Sequence, residues 1–178
     1  SGVNILNDLE IKKVSHVMDP AFLLDSTHWS KLGKVKFKEK YLLVYDFESS
    51  TKIKTKAIEI SKNNNWKIYT VNPGKFSYAD ENFDNVGPDV FISLVRDAQL
   101  VISNSFHAVV FPLIFKIPFI IEHRNEAINA RMEDIFKTIN EENKYYSGET
   151  VVTTNEIDNL LKEKINYSKS FLNTAINS

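Results

Sequence analysis

Hydrophobic positions in this chain fall into short apolar blocks separated by longer amphipathic stretches. The block Tyr41-Leu42-Leu43-Val44-Tyr45 is apolar throughout, over the length of a strand, as expected for a strand covered on both faces. Ile53, Ala57, Ile58 and Ile60 follow at near-helical spacing within 51–62, and Asn63, Asn64 and Asn65 close that segment. Residues 67–71, 100–103 and 118–121 predict further strands. Pro88 opens a helix carrying Phe91, Leu94 and Val95 on one face. Residues 106–116 read as an apolar helix that Pro112 should kink. In 128–139, Met132, Ile135, Phe136 and Ile139 recur at helical intervals. Upstream, 14–18 reads as a short strand, and Asp19-Pro20 starts a helical turn with Asp as N-cap. A polar loop fills 72–87, and the tail from Asn155 reads as one or two helices.

Strands separated by helices imply βαβ crossovers, so the predicted fold class is α/β, a three-layer Rossmann-like parallel sheet. The 178 residues, 43% of them hydrophobic, suit a single domain over 1–178 with 155–178 as a helical tail. A net charge of -1 gives no electrostatic case for nucleic acid or an anionic membrane, and the basic stretch 31–40 reads as a solvated loop. With no cysteine, disulfides and thiolate metal sites are excluded. Ser1-Gly2-Val3-Asn4 lacks the basic start and apolar core of a signal peptide. The apolar run 106–121 is interrupted by His107, Lys116 and two prolines, so no membrane span is expected. The expected location is the cytoplasm. Neither a Gly-rich phosphate loop nor a His-Glu-x-x-His helix is present, and no cofactor or metal is expected.

Binding sites in parallel sheets lie outside the carboxyl ends of the strands. The sharpest such junction is Ser103-Asn104-Ser105-Phe106-His107. Its small polar residues can cap the following helix, leaving the first N–H groups to point at an anion, with His107 in the first turn. The His107 imidazole thus joins hydroxyls, an amide and free backbone donors at one spot, with Ser103, Asn104, Ser105 and Phe106 as candidate substrate contacts; capping by the small residues, with His107 filling a polar gap, accounts for the junction equally well. Glu122-His123-Arg124-Asn125 ends the 118–121 strand, and Arg131 follows in the next helix. Parallel neighbours would bring these groups to the edge that carries His107, where an arginine can grip a carboxylate or phosphate through two parallel bonds. A surface salt-bridge network is the plainer reading of Glu122 and Arg124, and an exposed helix face that of Arg131. Gly87, before Pro88, allows close backbone approach at another helix start, although a simple turn explains it. Glu122, Arg131 and Gly87 complete the candidate substrate-binding set. Asp19-Pro20 reads as capping only. Glu126 and Asp134, eight apart, loosely resemble the paired acids of nucleotide-sugar enzymes, a common accident on a charged helix.

Several of these residues fall into an ordered set of motifs. Val17-Met18-Asp19-Pro20-Ala21-Phe22-Leu23-Leu24-Asp25 is followed by Trp29 and then by Gly87-Pro88-Asp89-Val90-Phe91. Ala98-Gln99-Leu100-Val101-Ile102-Ser103-Asn104-Ser105-Phe106-His107 comes next, then Pro118-Phe119 with Arg131 downstream. In this order they resemble the polysaccharide pyruvyl transferase family, from Ser1 to about Phe136. The resemblance implies one half of a glycosyltransferase-B-like two-domain enzyme with its active site in the cleft. It implies phosphoenolpyruvate as donor, and as acceptor a sugar hydroxyl pair in a bacterial surface polysaccharide or a lipid-linked precursor. By position, His107 matches the family histidine tied to donor binding and catalysis. Ala108-Val109 stands where the family often has Gly-Thr. The resemblance also implies a missing amino-terminal domain with further arginines before Ser1, making this chain the donor-side half, inactive alone. Two other readings stay open. One is a nucleotide-sugar donor domain of a glycosyltransferase, and the other a non-catalytic binding module on the same fold.

Overall fold

The structure is a computed structural model that describes residues 2–11, 14–72, 74–124 and 126–177. The predicted block Tyr41–Tyr45 is strand β1, at the centre of the sheet. It pairs in parallel with β2 (Lys67–Thr70) on one side and β4 (Leu100–Ser103) on the other. The two-residue β3 (Glu81–Asn82) extends the sheet beyond β2, and β5 (Phe119–Ile121) beyond β4, giving an all-parallel order β3-β2-β1-β4-β5. Alternation divides the side chains between two cores. Tyr41, Leu43, Tyr69, Val101, Phe119 and Ile121 face one side, and Leu42, Val44, Ile68, Ile102 and Ile120 face the other. Helix α3 (Thr51–Asn64) covers the second face with Ile53 and Ala57, while α4 (Pro88–Asp97) and α5 (His107–Phe115) cover the first. The fold is thus α/β with helices on both faces of a parallel sheet, in agreement with a three-layer Rossmann-like class.

The differences from the sequence reading have physical causes. Residues 14–18 form no strand. The outer edge of β5 is taken by Val151, which exchanges backbone bonds with Phe119 at 3.0 and 2.8 Å. The Met18 amide donates instead to Ser168 Oγ, at 2.9 Å, on the long tail helix. β3 lies inside the expected polar loop, where Thr70 Oγ1 donates to Asn82 Oδ1 at 2.8 Å. Three short helices were not foreseen: α1 (Gly2–Asp8), α2 (Ser26–Leu32) and α7 (Glu142–Ser147). The amphipathic segment after β5 is α6 (Glu126–Thr138), and the tail is one helix, α8 (Asn155–Ile176). Among the described residues no helix is long and apolar enough to cross a membrane.

The basic stretch 31–40 is also more than a solvated loop. Arg96 donates to the carbonyls of Gly33 and Val35, each at 2.6 Å, and Asp97 accepts from the Phe37 amide at 3.0 Å and Lys36 Nζ at 2.9 Å. The Phe37 ring is thereby set against Tyr41, Tyr69 and Phe83. Burial pushes the Asp97 carboxyl up, but the hydrogen bonds from Arg96, Lys36 and the Phe37 amide outweigh it and hold the group down at about 2. A carboxyl whose pKa is lower folded than unfolded adds stability above its unfolded value of 3.8, and that stability is lost as pH falls towards 2. Asp97→Asn is expected to cost about 2 kcal/mol at neutral pH, the worth of hydrogen bonds to a charged group. The gap from the parent should close in acid, and urea melts at neutral pH and near pH 2 check both limbs.

Candidate active site at the strand-end crevice

β1 and β4 are neighbours whose connections leave on opposite sides: α3 leads from β1 to β2, and α5 leads from β4 to β5. Their carboxyl ends therefore open a crevice, the place where ligands bind in sheets of this kind. A buried polar network sets its floor. Asn104, 1% exposed, accepts from the Phe47 amide at 3.0 Å and donates to Asp46 Oδ1 at 2.7 Å. Asp46, 2% exposed, also accepts from the amides of Glu48 and Ser50, at 3.0 and 2.6 Å. Asn72 accepts from the Asp46 amide and donates to the Asp46 carbonyl. Ser103 Oγ donates to Tyr45 O at 2.5 Å and accepts from the Ser105 amide at 3.0 Å.

Ser103 and Asn104 thus spend their polar atoms strapping β4 to β1 rather than capping α5. Phe106 occupies the N-cap position of α5 with helical backbone angles and no side-chain cap bond. The amides of Phe106, His107 and Ala108 have no hydrogen-bond partner among the described residues, the normal state of a helix start that no side chain has filled. Ser105 is buried behind them.

His107 opens α5 half-exposed and lines the larger of two neighbouring hollows. The larger, about 440 Å³, is lined by Tyr45, Asn72, Gly87, Phe91 and Phe111 among others. Gly87 forms part of its wall at the start of α4, where an added Cβ would stand 2.8 Å from Asp89 Oδ1. The smaller hollow, about 150 Å³, is lined by His16, Asp19, Phe106, Arg131 and Asp134 among others. Asp19 links the groups around it. Its Oδ1 accepts from the Ala21 amide at 3.0 Å, capping the 3-10 turn Pro20–Leu23. Its Oδ2 lies 3.1 Å from Arg131 Nη2 and 4.0 Å from His107 Nε2. The Arg131 guanidinium lies over the Phe106 ring, 4.0 Å from its centroid, and that ring meets His107 edge-on at 5.5 Å. The Arg131 side chain is 61% exposed, so its pair with Asp19 is a weak tether, worth under about 1 kcal/mol.

The structure therefore gathers Phe106, His107 and Arg131 around Asp19 and sets Gly87 with His107 in the larger hollow, while Ser105 is buried and lines neither hollow. It does not bring Glu122 there. Glu122 continues the alternation of Ile120, towards α3, where Lys56 Nζ lies 3.3 Å from its carboxylate. Arg124 pairs with Glu48 at 3.0 Å and lies over the Phe47 ring. Asn125 and the Glu126 side chain lie outside the described residues, so the Glu126/Asp134 pair cannot be placed. Asp19 is the residue that sequence reasoning missed. The capping read from Asp-Pro is correct for one oxygen and silent about the other, though the motif itself was part of the family resemblance.

A parallel α/β domain with an open crevice at its central strand ends is the class of protein that this fold defines. A family model described as polysaccharide pyruvyl transferase matches residues 1–121, more than half of the chain, and the chain belongs to that family. The match takes in Asp19, Gly87 and the whole 103–107 junction and ends with β5, so Arg131 lies beyond it. Neither a curated protein nor a solved structure matches the chain.

Proposed function

We propose that this chain binds phosphoenolpyruvate at His107 and supports transfer of its pyruvyl group, as a ketal, to two hydroxyls of a sugar. The acceptor on this reading belongs to a bacterial surface polysaccharide or its lipid-linked precursor, made in the cytoplasm. The observation that carries the proposal is the clustering, around Asp19 and the start of α5, of an imidazole, three unpartnered amides and a weakly tethered arginine.

The donor sets the requirements. Its carboxylate and phosphate lie a few bonds apart and need two separate sets of donors. The α5 amides supply one and the guanidinium of Arg131 the other. In the reaction C3 of the enol gains a proton, C2 becomes cationic, one sugar hydroxyl attacks C2, phosphate leaves, and the second hydroxyl closes the ring. The two hydroxyl protons balance the account, one ending on the new methyl group and one on phosphate. His107 is the group for proton transfer, because imidazole exchanges protons near neutral pH. Asp19 sits behind it as a positioning residue shared with Arg131. Phe106 and Gly87 shape the walls, and Ser103, Asn104 and Ser105 act by fixing the turn. The crevice is open on its outer side, which suits a second domain closing over it in a glycosyltransferase-B-like pair, with this chain as the donor half and inactive alone.

The test uses the full-length enzyme. Phosphoenolpyruvate is expected to raise its Tm, as any ligand selective for the folded state does, and phosphate release should require added acceptor glycan. A Tm raised by nucleotide-sugars and unmoved by phosphoenolpyruvate would sink the proposal.

A further inference from the structure

We propose that the crevice between α3 and α7, on the opposite face of the sheet from His107, is a subsite for a neutral stretch of glycan. The inference rests on the reading of the chain as a polysaccharide-modifying transferase, and it concerns a part of the polymer remote from the hydroxyls that react.

The hollow measures about 500 Å³ and opens at the carboxyl end of β5, a size suited to small-molecule sites. Glu122 forms part of its floor. Lys56 Nζ lies 3.3 Å from that carboxylate and donates to Gly148 O at 2.7 Å. Gly148 closes α7 at φ +66°, and a Cβ there would come within 3.1 Å of the same ammonium, so glycine leaves Lys56 its route to the floor. The exposed side of α3 adds Lys52 and Glu59.

The remaining wall is aromatic. The rings of His123 and Tyr146 lie 5.6 Å apart and within 20° of parallel. His123 in turn rests on Tyr145, at 4.0 Å between centroids, and Tyr145 is 1% exposed. The exposed pair is therefore braced by the core, yet Tyr146 keeps 62% of its surface in water. A large ring held rigid and left wet is a platform.

The flat C–H face of a pyranose fits such a platform, and the hydroxyls on its rim need both donors and acceptors. The crevice offers both in balance, two ammonium groups and two carboxylates. That balance disfavours a nucleotide, which also stacks on aromatic rings but brings phosphates that call for unpaired cations. Glu122 already offsets Lys56. The hollow and His107 share the carboxyl edge of the sheet on opposite faces, so a long acceptor reaches both by crossing that edge, past Arg124 and Phe47.

The experiment titrates the protein with neutral hexasaccharides of glucose, galactose and mannose, following the ring signals of Tyr146 and His123 by NMR. At least one hexasaccharide is expected to shift both sets of signals. Its affinity should fall about tenfold or more in Tyr146→Ala, a loss of 1.4 kcal/mol or more, and survive in Tyr146→Phe. Phosphoenolpyruvate should not displace it. The proposal is overturned if no hexasaccharide moves those signals, if Tyr146→Ala with an unchanged melt binds as well as the parent, or if uridine diphosphate competes. Binding is read without turnover. Loss of phosphoenolpyruvate chemistry with binding intact would therefore strike the proposed function alone, and the reverse would strike only this subsite.

Discussion

His107→Ala in the full-length enzyme is expected to lower acceptor-dependent phosphate release from phosphoenolpyruvate by about 10²- to 10⁴-fold, the usual worth of a positioned acid–base group. The same change should leave the melt within about 0.5 kcal/mol of the parent, as is usual for surface substitutions. The imidazole is 53% exposed and its nearest charged neighbour, Asp19 Oδ2, is 4.0 Å away, so little folding energy rests on it. Those two numbers together separate a reacting group from a structural one. His107→Gln sharpens the test, since an amide keeps polarity and some reach but cannot take up or release a proton near neutrality. If His107→Gln turned over like the parent, the ring would be serving only as a donor to a ligand oxygen. If both variants kept parental turnover, the acid–base assignment would be wrong.

The reason His107 could be found from sequence is the same reason the sheet could. A strand buried on both faces must be apolar at consecutive positions, which marks Tyr41–Tyr45 and Leu100–Ser103 with hardly a residue of error. Once β4 is fixed, the first residues after it lie at a strand end by construction. What failed was everything that depends on a distant partner. Residues 14–18 have the apolar content of a strand, but the β5 edge is taken once Val151 bridges to Phe119. β3 is two residues long and has no period to detect. Glu122 shares the carboxyl edge with His107 but faces α3, because side chains two apart on a strand share a face and Ile120 is in the α3 core. That signal was present in the sequence, and parity would have read it. For Asp19 and Asn104 no local signal exists. An aspartate before proline caps a turn whether or not its second oxygen meets an arginine 112 positions away. An asparagine before a helix looks like a cap whether it binds the helix or the loop after a strand, 57 positions upstream.

That last ambiguity has the second large consequence. Asn104→Ala is expected to destabilise the protein by about 3 kcal/mol, because it leaves a buried amide unpaired and takes a donor from a buried carboxylate. The amide is that of Phe47 and the carboxylate that of Asp46, 2% exposed. For a domain of this size the loss corresponds to a Tm lower by about 6–12 °C. A residue whose side chain only touched substrate would show no such drop. Asn104→Asp separates the electrostatic part of the loss from the geometric part. It keeps the acceptor for the Phe47 amide but places a second carboxylate where an amide nitrogen now stands 2.7 Å from Asp46 Oδ1. Two carboxylates that close cannot both stay ionised cheaply, so this variant should be the less stable of the two at neutral pH. Protonation of the pair shares one hydrogen between them, so in mild acid Asn104→Asp should recover relative to Asn104→Ala. Urea midpoints of both variants across that range decide the matter. Parallel pH curves would mean that Asn104 does not act on Asp46, and the strap between β1 and β4 would have to be assigned to Ser103 and Asn72 alone.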